Sequence, residues 1–429
     1  MQFISIQEAL KKNKGTVEVR GWIKRKREIS DTVFVLLRDS TTEMQCVIEK
    51  EKIGEVWKEL QHTGIESSIE LKGELKEDKR APNGLELRVN ELKIIGISDK
   101  FPISRDLSEE FLLDVRHLWL RSSKMTALNK IRSTILFAVR EYHQKEGWFE
   151  VSPAIITPNA CEGGTTLFGF DYFGEKRYLS QSAQMYLEVM IFSLEKVWGL
   201  TPSFRAEKSK TARHLTEYWH LEGEAAWMDM HEMMNEIEKL VEFVCHRVAE
   251  KNAKELLSLG RKPEEIKAIK APFKRISYDE ALKKLEKEFN KKIKWGIDLS
   301  IKEEKKLGEK EKTPFFIYGY PTAIKAFYAK EMPEDSNKCF SFDLIAPEGF
   351  GEVCTGGQRE DVIENMVEKL KKEKLPLKNY EWYLDLRRYG SVPHSGFGLG
   401  IERIMRWICK QESIKDTIPF PRTMNRSYP

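Results

Sequence analysis

Three stretches of this chain set acids and arginines in contexts that suit phosphate and carboxylate chemistry. The first, FRAEKSKTARHLTEYWHLEGE (Phe204 to Glu224), alternates in its second half. Tyr218, His220, Glu222 and Glu224 share one parity while Trp219 and Leu221 share the other, the period of a half-buried strand. Its FRAE opening puts Arg205 and Glu207 on one face of a second strand, and the basic KSKTAR joins the two. The next, FDLIAPEGFGEVCTGGQRE, supplies Asp343, Glu352 and Arg359; the last, GFGLGIERIMRW, carries Arg403 after a glycine-spaced turn. A solvated strand face would satisfy any one of these taken alone. Together they match the needs of a nucleoside triphosphate. Arginines neutralise phosphate oxygens in bidentate geometry, an Asp/Glu pair suits the hard cation Mg2+, and glycines let the backbone come close.

Two kinds of scaffold are expected to position these residues. TVEVRGWIKRKR, TVFVLLRD, EMQCVIEK, SIELKGELKED and GLELRVNELKIIG read as five short strands, with one helical interruption near Ile53 to Gln61. They predict a small closed barrel of the oligonucleotide-binding type over residues 1–97. Residues 98–114, including SDKFPISRDLSEEF, read as a linker. From Val115 long helices, beginning with KMTALNKIRSTILFAVREYHQKEG, alternate with isolated strands. This predicts an α+β catalytic domain over 115–429, an antiparallel sheet flanked by helices. Between Met230 and Lys312, Lys, Glu and Leu recur at helical spacing; these charge runs are expected to be solvated faces with no chemistry.

Composition narrows the class. A chain of 429 residues holds two or three domains, and 41% hydrophobic with 33% charged residues describes a soluble globular protein. The formal charge of +4 is too small for this length to name a polyanionic partner. Cysteines 46, 161, 245, 339, 354 and 409 form no CxxC pair and read as reduced, packed thiols. His220, His394 and Cys354 read as structural. With no secretory h-region at the start and no apolar run of about 18 residues, a cytoplasmic location is expected.

The motifs resemble a known family. EGWFEVSPAIITP, with Pro153, is similar to motif one of the class II aminoacyl-tRNA synthetases; FRAEKSKTARHLTEYWHLEGE is similar to motif two, and GFGLGIERI to motif three. They stand in the family's order, and the barrel ahead of them resembles the aspartyl, asparaginyl and lysyl subgroup, so the likeness spans nearly the whole chain. The resemblance implies ATP and Mg2+ as cofactors. By the same resemblance Arg205 bridges the ATP α-phosphate and the amino-acid carboxylate, Arg403 holds the γ-phosphate, and His214 assists at the phosphates. Tyr218 stacks on the adenine, Glu207 accepts from its amino group, and Asp343 with Glu352 carries the metal. Arg205, Arg403 and Glu352 are then the catalytic set, acting by position and charge. Because motif one lies at the subunit interface in this family, a homodimer is implied.

The subgroup's three amino acids differ in the side chain. Aspartyl relatives carry a substrate-pairing lysine where this chain has Leu187, and an Asp where it has Glu222. Without that cation a buried substrate carboxylate would go uncompensated. A pocket with Arg359 as donor and Glu222 as acceptor is complementary to an amide, and Glu222 repels a carboxylate. L-Asparagine and tRNA(Asn) are therefore the expected substrates. Glu162, Ser182 and Gln184 are the positions matching the family's α-amino site. Alternatives remain: an aspartyl enzyme charging one or both tRNAs, an ATP-dependent asparagine synthetase on the same catalytic fold, or a non-catalytic RNA-binding relative.

In the barrel, the KRKR run at Lys24 to Arg27 lies near Phe34 and Gln45, a stacking ring and an amide reader beside basic residues, as suits an unstacked base. The resemblance places Arg27, Phe34 and Gln45 against the anticodon, with Phe34 and Gln45 at its central uridine. Neither membrane nor DNA is an expected partner.

Overall fold

Alternation of buried and more exposed positions marks most of the N-terminal strands. In the computed structural model, which describes residues 2–104, 107–161, 166–208 and 213–429, these are β1 (Gly15–Ile29), β2 (Thr32–Arg38), β3 (Glu43–Glu49), β4 (Ser68–Glu77) and β5 (Leu85–Gly96). They close into a barrel in the order β1-β2-β3-β5-β4, the expected five-stranded form. Val33, Val35 and Leu37 point inward and are fully buried, while Phe34 and Leu36 between them face out. Two short helices, Lys50–Ile53 and Val56–His62, separate β3 from β4.

The chain divides into two units, Met1–Leu112 and Leu113–Pro429. In the second, β6 (Phe149–Glu150) is followed by β7 (Ile156–Thr157), β8 (Gly169–Tyr172) and β9 (Glu175–Leu179), the last three forming a small sheet. Then come β10 (Lys196–Phe204), β11 (Glu217–Ala226), β12 (Lys274–Ser277), β13 (Phe315–Tyr318), β14 (Glu331–Met332) and β15 (Asp335–Cys339). The last strands are β16 (Ser341–Ala346), β17 (Gly351–Gln358) and β18 (His394–Gly400). Eight of these form the main sheet, ordered β12-β13-β16-β17-β18-β11-β10-β6.

The sheet is antiparallel from β13 to β10, as expected, but each outermost pair, β12 with β13 and β6 with β10, is parallel. A parallel pair needs a crossover connection. Helices Tyr278–Phe289 and Ile301–Gly308 supply one, and helix Gln184–Leu194 lies within the other. Long helices Ser123–Lys145 and Met230–Lys251 pack on one face, burying Ile135, Val139, Val241 and Val244 against Leu221 and Leu399. That face takes the odd parity of β11. Its even parity, with His220 and Glu222, faces the cavities of the opposite side.

Among the described residues no helix is long and apolar enough to cross a membrane. The six cysteines are buried and form no disulfide with one another.

Candidate active site

A cavity of about 500 Å3 lies over β11, β16, β17 and β18. Every residue expected at ATP or its metal lines it: Arg205, Glu207, His214, Tyr218, Asp343, Glu352 and Arg403. Arg205 and Glu207 do not lie in a strand as expected. β10 ends at Phe204, and Arg205 follows it directly, held by its backbone N–H to the Thr216 carbonyl at 3.0 Å. The Arg205 guanidinium carbon lies 5.6 Å from the Tyr218 ring centroid, within reach of a cation–π contact. Glu207 faces His214, Oε2 to Nε2 at 3.4 Å. Burial lowers the His214 pKa, and nearby Arg403, Arg213 and Arg205 lower it further, against Glu207. Residues 209–212 of the KSKTAR loop lie outside the described set.

GFGLG, expected as a turn, is most of β18, and the helix Ile401–Ile408 that follows it carries Arg403. The glycines answer a packing need. Gly396 pairs with Glu224 and Gly398 with Glu222 across the ladder. A Cβ on Gly396 would sit 2.0 Å from the Glu224 carboxyl carbon, and one on Gly398 2.5 Å from His220 Nε2. Only glycine at these two positions leaves room for the ionisable face of β11.

Arg403 Nη1 donates to Glu352 at 2.6 Å. Burial raises the Glu352 pKa, but Arg403, Arg213 and Lys325 outweigh it and bring the carboxyl down to about 2. Asp343 is paired in register with Thr355, whereas Ile345 pairs with Glu352, leaving Val353 as an extra residue on β17. That bulge lets Glu352 and Thr355, three apart, both line the cleft. Among the described residues no cluster of three or more His, Cys, Asp or Glu forms a protein-only metal cage. Mg2+ does not require one: it takes one or two carboxylates together with substrate phosphates and water. Asp343 and Glu352 on adjacent strands of one cleft fit that donor set.

The structure adds residues that the sequence pattern did not flag. Asp298 and Glu304 come to the cleft from the stretch between Met230 and Lys312, expected to carry no chemistry. Glu304 accepts from Arg213 Nη1 at 2.7 Å and from the Glu352 backbone N–H at 2.9 Å. Lys325 donates to both Asp343 oxygens at 3.4 Å and lies 4.0 Å from the Tyr320 ring centroid. Burial alone would lower the Lys325 pKa; Asp343 and Asp298 raise it instead, so it is a fixed cation.

A second cavity of about 60 Å3 is lined by Ser182, Gln184, Glu222 and Arg359, the expected amino-acid residues. Glu162 lies outside the described residues. Glu222 accepts from the Ser182 hydroxyl and from the Ala183 N–H, the latter at 2.8 Å, and its Oε2 lies 3.3 Å from His220 Nδ1. Burial raises its pKa, but His220, Ser182 and Ala183 overcome this and keep it below the usual range. Arg359 is not paired with Glu222: its Nε donates to Glu224 at 3.1 and 3.3 Å, and its Nη2 to the same carboxylate. Burial works against the Arg359 charge and Glu224 more than restores it. His220, expected to be structural, lines both cavities. Leu187 is fully buried in an apolar cluster with Ala183, Ile191 and Val197, and is not among the residues lining the second cavity.

On the barrel, register defines one outer face. Arg27 pairs with Phe34, Leu36 with Gln45 and Gln45 with Glu86, and directly paired residues project to the same side. Gln45 Nε2 donates to Glu86 at 2.9 Å. Within KRKR, Lys26 is spent on the carbonyls of Leu60, Gln61 and Thr63 at 2.6, 3.0 and 3.1 Å, and Lys24 pairs with Glu43. Arg25 and Arg27 remain exposed. Trp22, 44% exposed, lies on the same strand with Arg38 over its ring at 5.3 Å, an aromatic the sequence pattern did not single out. Phe34→Ala is expected to reduce aminoacylation of tRNA roughly 10- to 100-fold, the worth of one stacked base, and to leave pyrophosphate exchange within about twofold. Equal losses in both assays would remove Phe34 from RNA contact.

A closed barrel is followed along the chain by a mostly antiparallel sheet whose cleft gathers arginines and carboxylates beside a small polar cavity. The model of class II tRNA synthetases (D, K and N) matches residues 108–424 and that of the OB-fold nucleic acid binding domain matches residues 17–95; the chain belongs to the class II tRNA synthetases. It is 51% identical over 416 residues to the asparagine–tRNA ligase of Thermococcus kodakarensis and 50% identical over 413 residues to that of Thermococcus gammatolerans, covering 96% of each chain in both cases. The crystal structure of asparaginyl-tRNA synthetase from Pyrococcus horikoshii complexed with asparaginyl-adenylate is similar over 100% of both chains, with a TM-score of 0.97 and 46% identity.

Proposed function

We propose that the protein joins L-asparagine to tRNA(Asn) at the expense of ATP, through an asparaginyl-adenylate. The observation that carries this reading is the adjacency of the two cavities: His220, Lys325 and Thr355 line both, so an amino-acid carboxylate in the small one meets a triphosphate in the large one. Its relatedness to asparagine–tRNA ligases supports asparagine over the aspartyl and asparagine-synthetase alternatives.

In the first half-reaction a carboxylate oxygen of asparagine attacks the α-phosphorus, the bond to the β-phosphate bridge breaks, and pyrophosphate leaves. Arg205 balances the charge that builds on the α-phosphoryl oxygens, and Arg403 and His214 hold the departing end. Tyr218 and Glu207 seat the adenine. Asp343 and Glu352 would hold Mg2+, which when bound neutralises phosphate charge. Glu222 accepts from the side-chain amide NH2, Arg359 donates to the amide oxygen, and Ser182 and Gln184, with Glu162, seat the α-amino group. In the second half-reaction a terminal hydroxyl of the tRNA attacks the acyl carbon and AMP leaves. The barrel face of Arg27, Phe34 and Gln45 reads the anticodon.

Pyrophosphate exchange measured with asparagine, aspartate and lysine separately tests the substrate. Exchange confined to asparagine is expected; an aspartate rate equal to or above it would sink the reading. A cytoplasmic location belongs with these substrates. A homodimer is part of the same proposal, supported by the exposure of Phe137 and Phe149 (69% and 53%) beside β6, an edge strand of the main sheet. Sedimentation equilibrium is expected to return about twice the chain mass of 50.1 kDa; the mass of one chain would refute it.

A further inference from the structure

Behind the amino-acid cavity lies a layer of buried charge that does not touch it. Glu188, on the helix Gln184–Leu194, is 0% exposed. Its carboxylate accepts from Gln184 Nε2 at 3.0 Å, the Tyr383 hydroxyl at 2.7 Å and Arg387 Nη2 at 2.7 Å, and it lies 3.0 Å from His394 Nε2. Gln184 is the one member of this set that lines the cavity. Arg387 is also fully buried at its side chain and donates through Nε to the carbonyl of Glu360, the residue after Arg359.

Each cation at or behind the cavity is matched. Arg359 has Glu224, Arg387 has Glu188, and Lys325 has Asp343. Glu222 then stands in the cavity as a further acid, with His220 beside it. A neutral amide meets donors and acceptors here; a carboxylate meets, among the described residues, no arginine or lysine without an acidic partner of its own. The Leu187 side chain packs in the apolar cluster, whereas its neighbour Glu188 points into the charge layer.

We propose that Glu188 is a specificity-determining positioning residue, which by taking up Arg387 and orienting Gln184 keeps the cavity free of a spare cation and so excludes the carboxylate of aspartate. This rests on the reading of the cavity as the amino-acid site. In a low-dielectric interior an unmatched guanidinium is felt across several ångströms. Removing the Glu188 charge would therefore leave Arg387 to stabilise an acidic substrate.

The test is pyrophosphate exchange with asparagine and with aspartate for the wild-type protein, Glu188→Gln and Arg387→Gln. Glu188→Gln is expected to lower the asparagine-to-aspartate ratio of kcat/KM by about tenfold or more, chiefly through a rise in the aspartate rate. Arg387→Gln, which leaves the layer more acidic, is expected to move the ratio the other way. A purely structural role would lower the asparagine rate in both variants without a gain for aspartate, and that result overturns the proposal. So does a shift of the ratio in the same direction in both. If Glu188→Gln does not fold, the neutralised pair Glu188→Gln/Arg387→Gln takes its place: it is expected to keep the wild-type ratio, and a tenfold fall there also overturns the proposal. Wild-type exchange with aspartate at the asparagine rate would instead refute the substrate assignment, independently of the variants.

Discussion

Arg205→Ala is expected to slow asparagine-dependent pyrophosphate exchange by about 100- to 1000-fold, the loss typical of one donor aimed at developing charge. The loss should fall on kcat. Arg205 sits at the end of β10 with its backbone pinned to Thr216 and its guanidinium carbon 5.6 Å from the Tyr218 ring centroid, so its position is set before any substrate arrives. A group fixed in this way favours the state in which negative charge is greatest on the α-phosphoryl oxygens. Arg205→Lys should recover only part of the rate, since an ammonium lacks the planar fork that spans two oxygens. A variant in which KM for ATP rises while kcat stays constant would assign Arg205 to ground-state binding instead.

Arg359→Leu is expected to be the most damaging single change to stability. Glu224 is 1% exposed and accepts from Arg359 at both Nε and Nη2. Stripping one partner from a buried pair costs about 3–5 kcal/mol, because the remaining charge has neither water nor counterion. Thermal unfolding should move down by several degrees, and exchange should fall with it. The double variant Arg359→Leu/Glu224→Leu separates the two losses: removing both charges should restore much of the stability and none of the asparagine activation. Recovery of both would mean that Arg359 serves the fold alone.

The barrel was legible in the sequence because β1, β2 and β4 alternate in burial and set Val17, Val19, Val33, Val35, Ile69 and Leu71 inward. The ionisable face of β11 was legible for the same reason: Tyr218, His220, Glu222 and Glu224 share a side that no apolar residue interrupts. Other parts of the site depend on geometry that local periodicity does not encode. Glu352 and Thr355 share the cleft only because Val353 is an extra residue on β17. Asp298 and Glu304 come from segments whose Lys/Glu pattern is that of any solvated helix, and only the fold turns them inward. The partner of Arg359 could not be assigned from spacing, since Glu222 and Glu224 lie on the same face one pleat apart. Leu187 packs with Ala183, Ile191 and Val197, a neighbourhood that the residues around it in the sequence do not reveal.

On the proposed reading of the two cavities, the wall they share, made by His220, Lys325, Tyr328 and Thr355 among others, ties the two small substrates into one equilibrium. A side chain that shifts when one cavity fills alters the free energy of filling the other. By reciprocity, the factor by which ATP changes the affinity for asparagine is the factor by which asparagine changes the affinity for ATP. A dissociation constant for either ligand therefore describes this protein only when the occupancy of the other is stated.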